Sequence, residues 1–397
     1  MLPSLCRIQQ EEESKFISLI KMKIQQVDLI TQYSQIQQEI DDAVLSVIRS
    51  GTYINGKQVS AFAENVSKYT GAKYVIPCAN GTDALQIALM ALDLRPGDEV
   101  IVPTFTYVAS AEMIALLKLV PVLVDVDPYT FNLDVEKFKN AISEKTKVVI
   151  PVHLFGQTCN MQAILEICKQ HQIYVIEDNA QSMGSIYSFP DGSKQQAGTI
   201  GDIGTLSFFP TKNLGCFGDG GAMLTNDEML AKKLKMIASH GQSQKYRHDI
   251  IGCNSRLDTL QAAILDVKLK YLNKYIEARQ QAASYYTKQL EILSDYIVLP
   301  SVADYSNHVY NQYTIQVKDE KRDDLKQFLL ERNIPSMIYY PLPLHHQKAF
   351  QDIIRIGSDL SCSEQLCRSV LSLPMHTELS VIQQDYIVDC IKQFFYH

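Results

Sequence analysis

Residues 147–178 read KVVIPV, then HLFGQTCN, then MQAILEICKQH, and after Gln172 and Ile173 they end in YVIE followed by Asp178. The first run is short and apolar, as a strand buried in a sheet should be. Residues 161–171 carry their apolar side chains at helical spacing, and 174–177 return to a short apolar run. Strand, helix and strand in succession make one unit of a parallel sheet, because parallel neighbours need a crossover between them.

The same alternation extends in both directions. Apolar runs at 74–78, 99–102, 121–126, 147–152, 174–177, 205–209 and 222–225 are separated by helical stretches such as 83–92. This predicts an α/β fold with a mostly parallel seven-stranded sheet covered by helices. Upstream, Ile36, Ile40, Val44 and Val47 recur at helical spacing until Gly51 stops the run. Downstream, a helical stretch at 257–294 gives way to shorter mixed elements, which predict a smaller carboxyl-terminal α+β domain. The expected division is a large domain over 22–270 and a small one over 271–397. Residues 1–21 form an extension without an assigned role.

With 397 residues the chain exceeds what one hydrophobic core usually serves. Its net charge of −7 and lack of any Lys/Arg run exclude the basic footprint of a nucleic-acid binder. Nine scattered cysteines, none at CxxC spacing, argue against a disulfide framework and a zinc site, so no metal is expected and a reducing cytoplasm fits. Nothing in the sequence has the length and apolarity of a membrane span.

In open α/β sheets ligands gather at the carboxyl ends of the strands, so the residues just past each apolar run are informative. After 74–78 come Asn80, Gly81 and Thr82, and then a helix, whose first amide groups suit a phosphate as well as an ordinary cap. After 99–102 comes Tyr107, an aromatic plate or a packing residue. The strand 174–177 ends in Asp178, a carboxylate that needs a partner, with Gln181 beyond it. Ser207 precedes Pro210 and Lys212, and the glycine-rich run 215–221 follows. A phosphate cup, an aromatic plate, a carboxylate, a hydroxyl and a lysine are together the requirements of pyridoxal phosphate, which needs an amine to hold its aldehyde and a carboxylate to keep its ring nitrogen protonated.

Several ordered motifs carry a closer likeness: GTYING at 51–56, ANGTDAL at 79–85, GDEVIVP at 97–103, VIEDNAQS at 175–182, the stretch 207–221, YPLPLH at 340–345 and SLPMH at 372–376. From about Val27 onward the chain resembles the fold-type I aminotransferases of the DegT/DnrJ/EryC1/StrS family, which act on nucleotide-linked keto sugars. The resemblance implies that Gly81, Thr82 and Ser207 hold the cofactor phosphate and that Tyr107 stacks on the ring. It implies further that Asp178 bonds the pyridine nitrogen, that Gln181 contacts the ring hydroxyl side, and that Lys212 is both Schiff-base lysine and proton shuttle. It also implies a homodimer in which Asn254 and Arg256 reach the neighbouring subunit's cofactor phosphate or substrate.

The run from His240 to His248, leading into Ile251 and Gly252 and the stretch from Arg256 to Ala262, is most similar to the branch that aminates C3 of UDP-2-acetamido-2-deoxy-3-oxo-glucuronate, with glutamate as donor. A 3- or 4-aminotransferase for a dTDP- or UDP-linked keto-6-deoxy sugar is the alternative. Tyr53, Asn55, His345, Tyr340 and His308 are candidates for substrate contact, with His376 and Tyr310 behind them. A lone histidine after a proline is as well explained by a structural hydrogen bond, and Tyr53 and Asn55 by the turn after the first helix. Family members that dehydrate sugars have histidine at the lysine position, and Lys212 argues against that chemistry. A binding or regulatory protein of the same fold, and a desulfurase or decarboxylase, are the remaining rivals.

Overall fold

A computed structural model of the chain describes residues 24–396, so the extension expected at 1–21 lies outside the described residues. Its main sheet consists of β1 (Tyr74–Cys78), β2 (Glu99–Pro103), β3 (Val120–Val124), β4 (Thr146–Val149), β5 (Tyr174–Asp178), β6 (Ile203–Ser207), β7 (Gly221–Thr225) and β8 (Arg355–Ile356). The spatial order is β1-β7-β6-β5-β4-β2-β3-β8. Strand β7 runs antiparallel to β1 and β6, and every other pairing is parallel.

The parallel pairs are bridged by helices such as Ala109–Leu116 between β2 and β3 and Met161–His171 between β4 and β5. Covered on both faces, the central strands are mostly apolar, and all five residues of β2, Glu99 included, are buried. The seven strands expected from the sequence form, and an eighth joins them. Strand β8 is two residues long, too short to show a period. It is held by Gly357 N donating to Leu123 O (2.8 Å) and by Arg355 Nη2, which donates to Glu99 Oε2 (2.9 Å) and Ala141 O (2.6 Å).

The helical stretch expected at 257–294 is broken in two, Thr259–Leu269 and Leu272–Leu290, with Lys270 and Tyr271 between them. Beyond it, Ile297–Val298, Tyr313–Val317 and Val370–Leu373 pair antiparallel. This sheet and the helices Leu272–Leu290, Arg322–Leu330 and Val381–Tyr396 share a core that includes Tyr286, Tyr313, Leu325, Leu373 and Ile387. The buried Asp125, just past β3, ties the two regions together. It accepts from Cys362 N (2.9 Å) and Ser363 N (2.8 Å) at the start of helix Ser361–Ser369, where a negative charge suits the helix dipole, and from Lys137 Nζ (3.0 Å).

Among the described residues no helix is long and apolar enough to cross a membrane.

Candidate active site

A cavity of about 780 Å³ opens at the carboxyl ends of β1, β2, β5 and β6, within the size range of small-molecule sites. A groove of about 900 Å³ lies elsewhere, along helix Glu228–Ile237 and residues 242–245, but no catalytic set converges on it.

One wall of the cavity is the start of helix Gly81–Ala91. Asn80 caps it by accepting from Asp83 N (2.8 Å), which leaves the first amide groups of the helix directed at the cavity without partners inside the helix. Gly81 is required by proximity: a Cβ there would stand 2.7 Å from Ser207 Cβ. Gly221, where β7 begins, is equally constrained, since its Cβ would meet Asn80 C at 2.4 Å. The two glycines let β6 and β7 pack directly on the helix start, so Ser207, the last residue of β6, lies beside Gly81 and Thr82. Ala79 N donates to Ser255 Oγ (3.0 Å), which anchors the segment 252–258 under the same corner.

Asp178, the last residue of β5, is 6% exposed. Its Oδ2 accepts from Ser110 Oγ (2.8 Å) and its Oδ1 from Ala180 N (3.2 Å). Behind it, Glu177 is fully buried and accepts from Gly198, Ile200 and Gly201 amides and from His153 Nε2 (2.8 Å), which fixes the strand end rigidly. Gln181 Oε1 accepts from Phe155 N (2.8 Å), and its Nε2 donates to Tyr340 OH (3.2 Å). Tyr107 leaves its ring 57% exposed toward the opening, 6.3 Å from the Tyr340 ring. Burial dominates the basicity of Lys212, lowering its pKa to about 8, and the attraction of Asp178 opposes that effect only in part.

The structure therefore brings Gly81, Thr82, Tyr107, Asp178, Gln181, Ser207, Lys212 and Tyr340 to one cavity. Asn254 and Arg256 are not in its lining: Asn254 is exposed and Arg256 half-buried. Tyr53 is half-exposed with its hydroxyl on Ile48 O, and Asn55 takes a positive φ of 52°, so within the subunit both shape the turn before helix Lys57–Thr70. His308 lies outside the lining, buried and stacked on Tyr310 at 4.0 Å, and burial lowers its pKa to about 3. His376 is also buried, its pKa lowered to about 4 chiefly by burial. His345 bonds Thr104 instead of facing the cavity.

Sequence reasoning missed Thr106, Asn311, Gln312 and Tyr339, which also line the cavity. Asn311 and Gln312 come from just before the strand Tyr313–Val317, far along the chain and without any motif. Among the described residues, Thr106 Oγ1 and Asn311 Oδ1 are buried with no hydrogen-bond partner. Unpaired buried acceptors are costly, and both would be satisfied by a polar ligand.

The donor set fits pyridoxal phosphate. Helix amides with the Thr82 and Ser207 hydroxyls suit its phosphate, the Tyr107 ring suits its plane, Asp178 suits a protonated ring nitrogen, and the Lys212 amine suits its aldehyde.

Residues 34–392 match the DegT/DnrJ/EryC1/StrS aminotransferase family. The chain is 45% identical over 377 residues to the pleiotropic regulatory protein of Geobacillus stearothermophilus, covering 95% of this chain and 100% of that one. It is 43% identical over 359 residues to the UDP-2-acetamido-2-deoxy-3-oxo-D-glucuronate aminotransferase of Pseudomonas aeruginosa, covering 90% and 96%. A crystal structure of a DegT DnrJ EryC1 StrS aminotransferase from Brucella abortus superposes with a TM-score of 0.89 at 40% identity, covering 94% and 100%. A Bacillus subtilis structure with bound cofactor PMP gives 0.84 at 33% identity, covering 91% and 82%. The chain thus belongs to the DegT/DnrJ/EryC1/StrS aminotransferase family and is a pyridoxal-phosphate-dependent enzyme.

Proposed function

We propose that this aminotransferase moves an amino group from glutamate to C3 of a UDP-linked 3-oxo sugar, with UDP-2-acetamido-2-deoxy-3-oxo-glucuronate, the substrate named for a relative 43% identical, as the first choice. The observation that carries the catalytic reading is the meeting of Lys212 and Asp178 in one cavity beside the amino end of helix Gly81–Ala91. Similarity to the Pseudomonas enzyme supports the sugar. Bound pyridoxal phosphate supplies an electron sink that stabilises negative charge on the carbon bearing the amine.

The chain's own residues do the rest. The amides of Gly81 and Thr82, with the Ser207 hydroxyl, hold a phosphate at a helix amino terminus, where the dipole favours negative charge. Asp178, kept in place by Ser110, holds a proton on the cofactor ring nitrogen through its carboxylate. Lys212 Nζ, with its basicity lowered by burial, takes a proton from the substrate carbon and returns it in the reverse direction, a general acid–base task that requires a pKa near the working pH. Thr106 and Asn311, whose acceptors lack partners, bond hydroxyl or amide groups of the sugar.

The active unit is a homodimer in which Asn254 and Arg256 of each subunit complete the opposite cavity. Support comes from their position outside the lining of their own subunit's cavity, in a segment anchored through Ser255 at the corner of the cup. A cytoplasmic location agrees with cysteines that are all unpaired among the described residues.

Purified protein given pyridoxal phosphate, glutamate and a panel of UDP- and dTDP-linked 3-oxo and 4-oxo sugars tests this directly. Amination at C3 of the UDP-linked glucuronate is expected. A preference for 4-oxo sugars would overturn the substrate assignment and leave the transamination chemistry standing. A second reading, a regulatory or binding role without turnover, is favoured by the name of the Geobacillus relative. It predicts no formation of 2-oxoglutarate from glutamate, and the presence of both Lys212 and Asp178 weighs against it.

A further inference from the structure

Outside the cavity, a second group of side chains has ligating chemistry. His345 and His346, in the turn Leu344–His346, and Glu364, in helix Ser361–Ser369, each offer one ligand atom, and all three atoms lie within 4.8 Å of one another. Glu364 Oε1 stands 3.3 Å from His345 Nε2 and 3.6 Å from His346 Nε2. With metal–ligand bonds of about 2.0–2.1 Å in a tetrahedron, donor atoms are separated by roughly 3.3 Å. Two of the three edges are therefore already close to that spacing, and the third is at most 4.8 Å.

The surroundings suit an ion better than they suit a simple pair. Hydrogen bonding to Glu364 accounts for His345, whose side chain is 8% exposed. It does not account for His346, which is 49% exposed and free to point its ring into water, yet directs Nε2 at the same carboxylate oxygen. His345 Nδ1 lies 2.9 Å from Thr104 Oγ1. When Nε2 is given to a metal, Nδ1–H donates to that hydroxyl, the outer bond that fixes the orientation of a ligating imidazole. The partial exposure of His346 and Glu364 leaves a path for entry and room for water as a fourth ligand. Two imidazoles and one carboxylate form a donor set that zinc accepts.

We propose that His345, His346 and Glu364 form a binding site for a divalent transition-metal ion of the zinc class, with Thr104 orienting His345. The ion would act as a clip. Leu344 N donates to Thr104 O (3.0 Å), and Thr104 begins the segment that carries Thr106 and Tyr107 into the cavity, while Tyr340 lies a few residues before the histidines. Metal binding would pin the turn Leu344–His346 to helix Ser361–Ser369, and the bonds of His345 and Leu344 to Thr104 would carry that hold to the end of β2. This proposal does not depend on the identity of the sugar.

The test uses tag-free, full-length protein with its cofactor bound, dialysed against chelator and titrated with Co²⁺ as a spectroscopic probe. The expected result is a visible ligand-field spectrum of tetrahedral type that saturates at one ion per chain and is displaced by Zn²⁺. His346→Ala and Glu364→Gln should each weaken binding at least about ten-fold, and Thr104→Val by about ten-fold, the size of effect seen for outer-shell partners. Zn²⁺ should raise the melting temperature of the unsubstituted protein and not that of His346→Ala. An unchanged cofactor spectrum in His346→Ala shows that the variant is folded. Binding in His346→Ala or Glu364→Gln as tight as in the unsubstituted protein, a sulfur-to-metal charge-transfer band, or no stoichiometric binding would each overturn the proposal.

Discussion

Gly81 and Ser207 approach so closely that a single methyl group on Gly81 would stand 2.7 Å from Ser207 Cβ. The contact joins the amino end of one helix to the end of β6, and so places helix amides and the serine hydroxyl around one point. Forcing a methyl group into a contact of this kind costs about 1–3 kcal/mol. Gly81→Ala should therefore weaken cofactor retention by about ten-fold or more. Titration of the cofactor-free variant with pyridoxal phosphate, followed by absorbance, measures this. Retention equal to that of the unsubstituted protein would mean that the cup lies elsewhere.

The amine of Lys212 has its pKa lowered to about 8 by burial, with Asp178 pulling upward. Only the neutral amine attacks an aldehyde, so the rate at which cofactor-free protein takes up pyridoxal phosphate should rise with pH and level off above about 8, well below the range of a solvated lysine near 10.4. Asp178→Asn removes the one interaction that favours the charged amine, and the inflection should move to lower pH. Rapid-mixing absorbance across pH 6 to 10 provides the comparison, a range that brackets about 8 on the pKa scale.

Gln181 bonds Phe155 N with one end and the Tyr340 hydroxyl with the other. Phe155 is buried, with a positive φ of 58°, so its amide has a fixed direction. Gln181→Ala leaves that N–H unsatisfied at a cost of about 1–3 kcal/mol. Thermal denaturation should show a lowered melting temperature, and kcat/KM for the sugar should fall because Tyr340 loses its anchor.

The proposed sharing of each active site between two subunits can be tested by mixing variants. Lys212→Ala and Arg256→Ala homodimers should each be inactive or nearly so. In a mixed dimer one cavity carries both lesions and the other carries none. Random exchange of the two variants should restore about a quarter of the unsubstituted activity, as two-fold symmetry requires. No recovery on mixing, with subunit exchange verified, would show that each subunit works alone.

How far the sequence reveals this molecule varies with the element. The seven longer strands show because each is a short apolar run followed by a polar change, and the chemistry of a parallel sheet collects at those changes: Asn80 after β1, Asp178 closing β5, Ser207 closing β6. Strand β8 does not show, since two residues have no period and its pairing depends on Gly357 and Arg355 meeting partners more than two hundred positions away. Lys212 stands out by its setting between an apolar run and a glycine-rich one. Asn311 and Gln312 do not, because the antiparallel sheet delivers them to the cavity and nothing in their neighbours marks the meeting. His308 attracts notice as a lone histidine, yet its ring is spent on Tyr310, bonding Tyr310 N (3.0 Å). Local residue type suggests that a side chain is available, and only the fold shows where it points.

The central claim is that the amine at position 212 carries the cofactor. Borohydride reduction of the protein loaded with pyridoxal phosphate, followed by proteolysis and mass mapping, should place a single pyridoxyl group on Lys212, with no labelled peptide from Lys212→Ala. A label on Lys268, a buried lysine whose basicity is also depressed, or on any other residue would contradict the account.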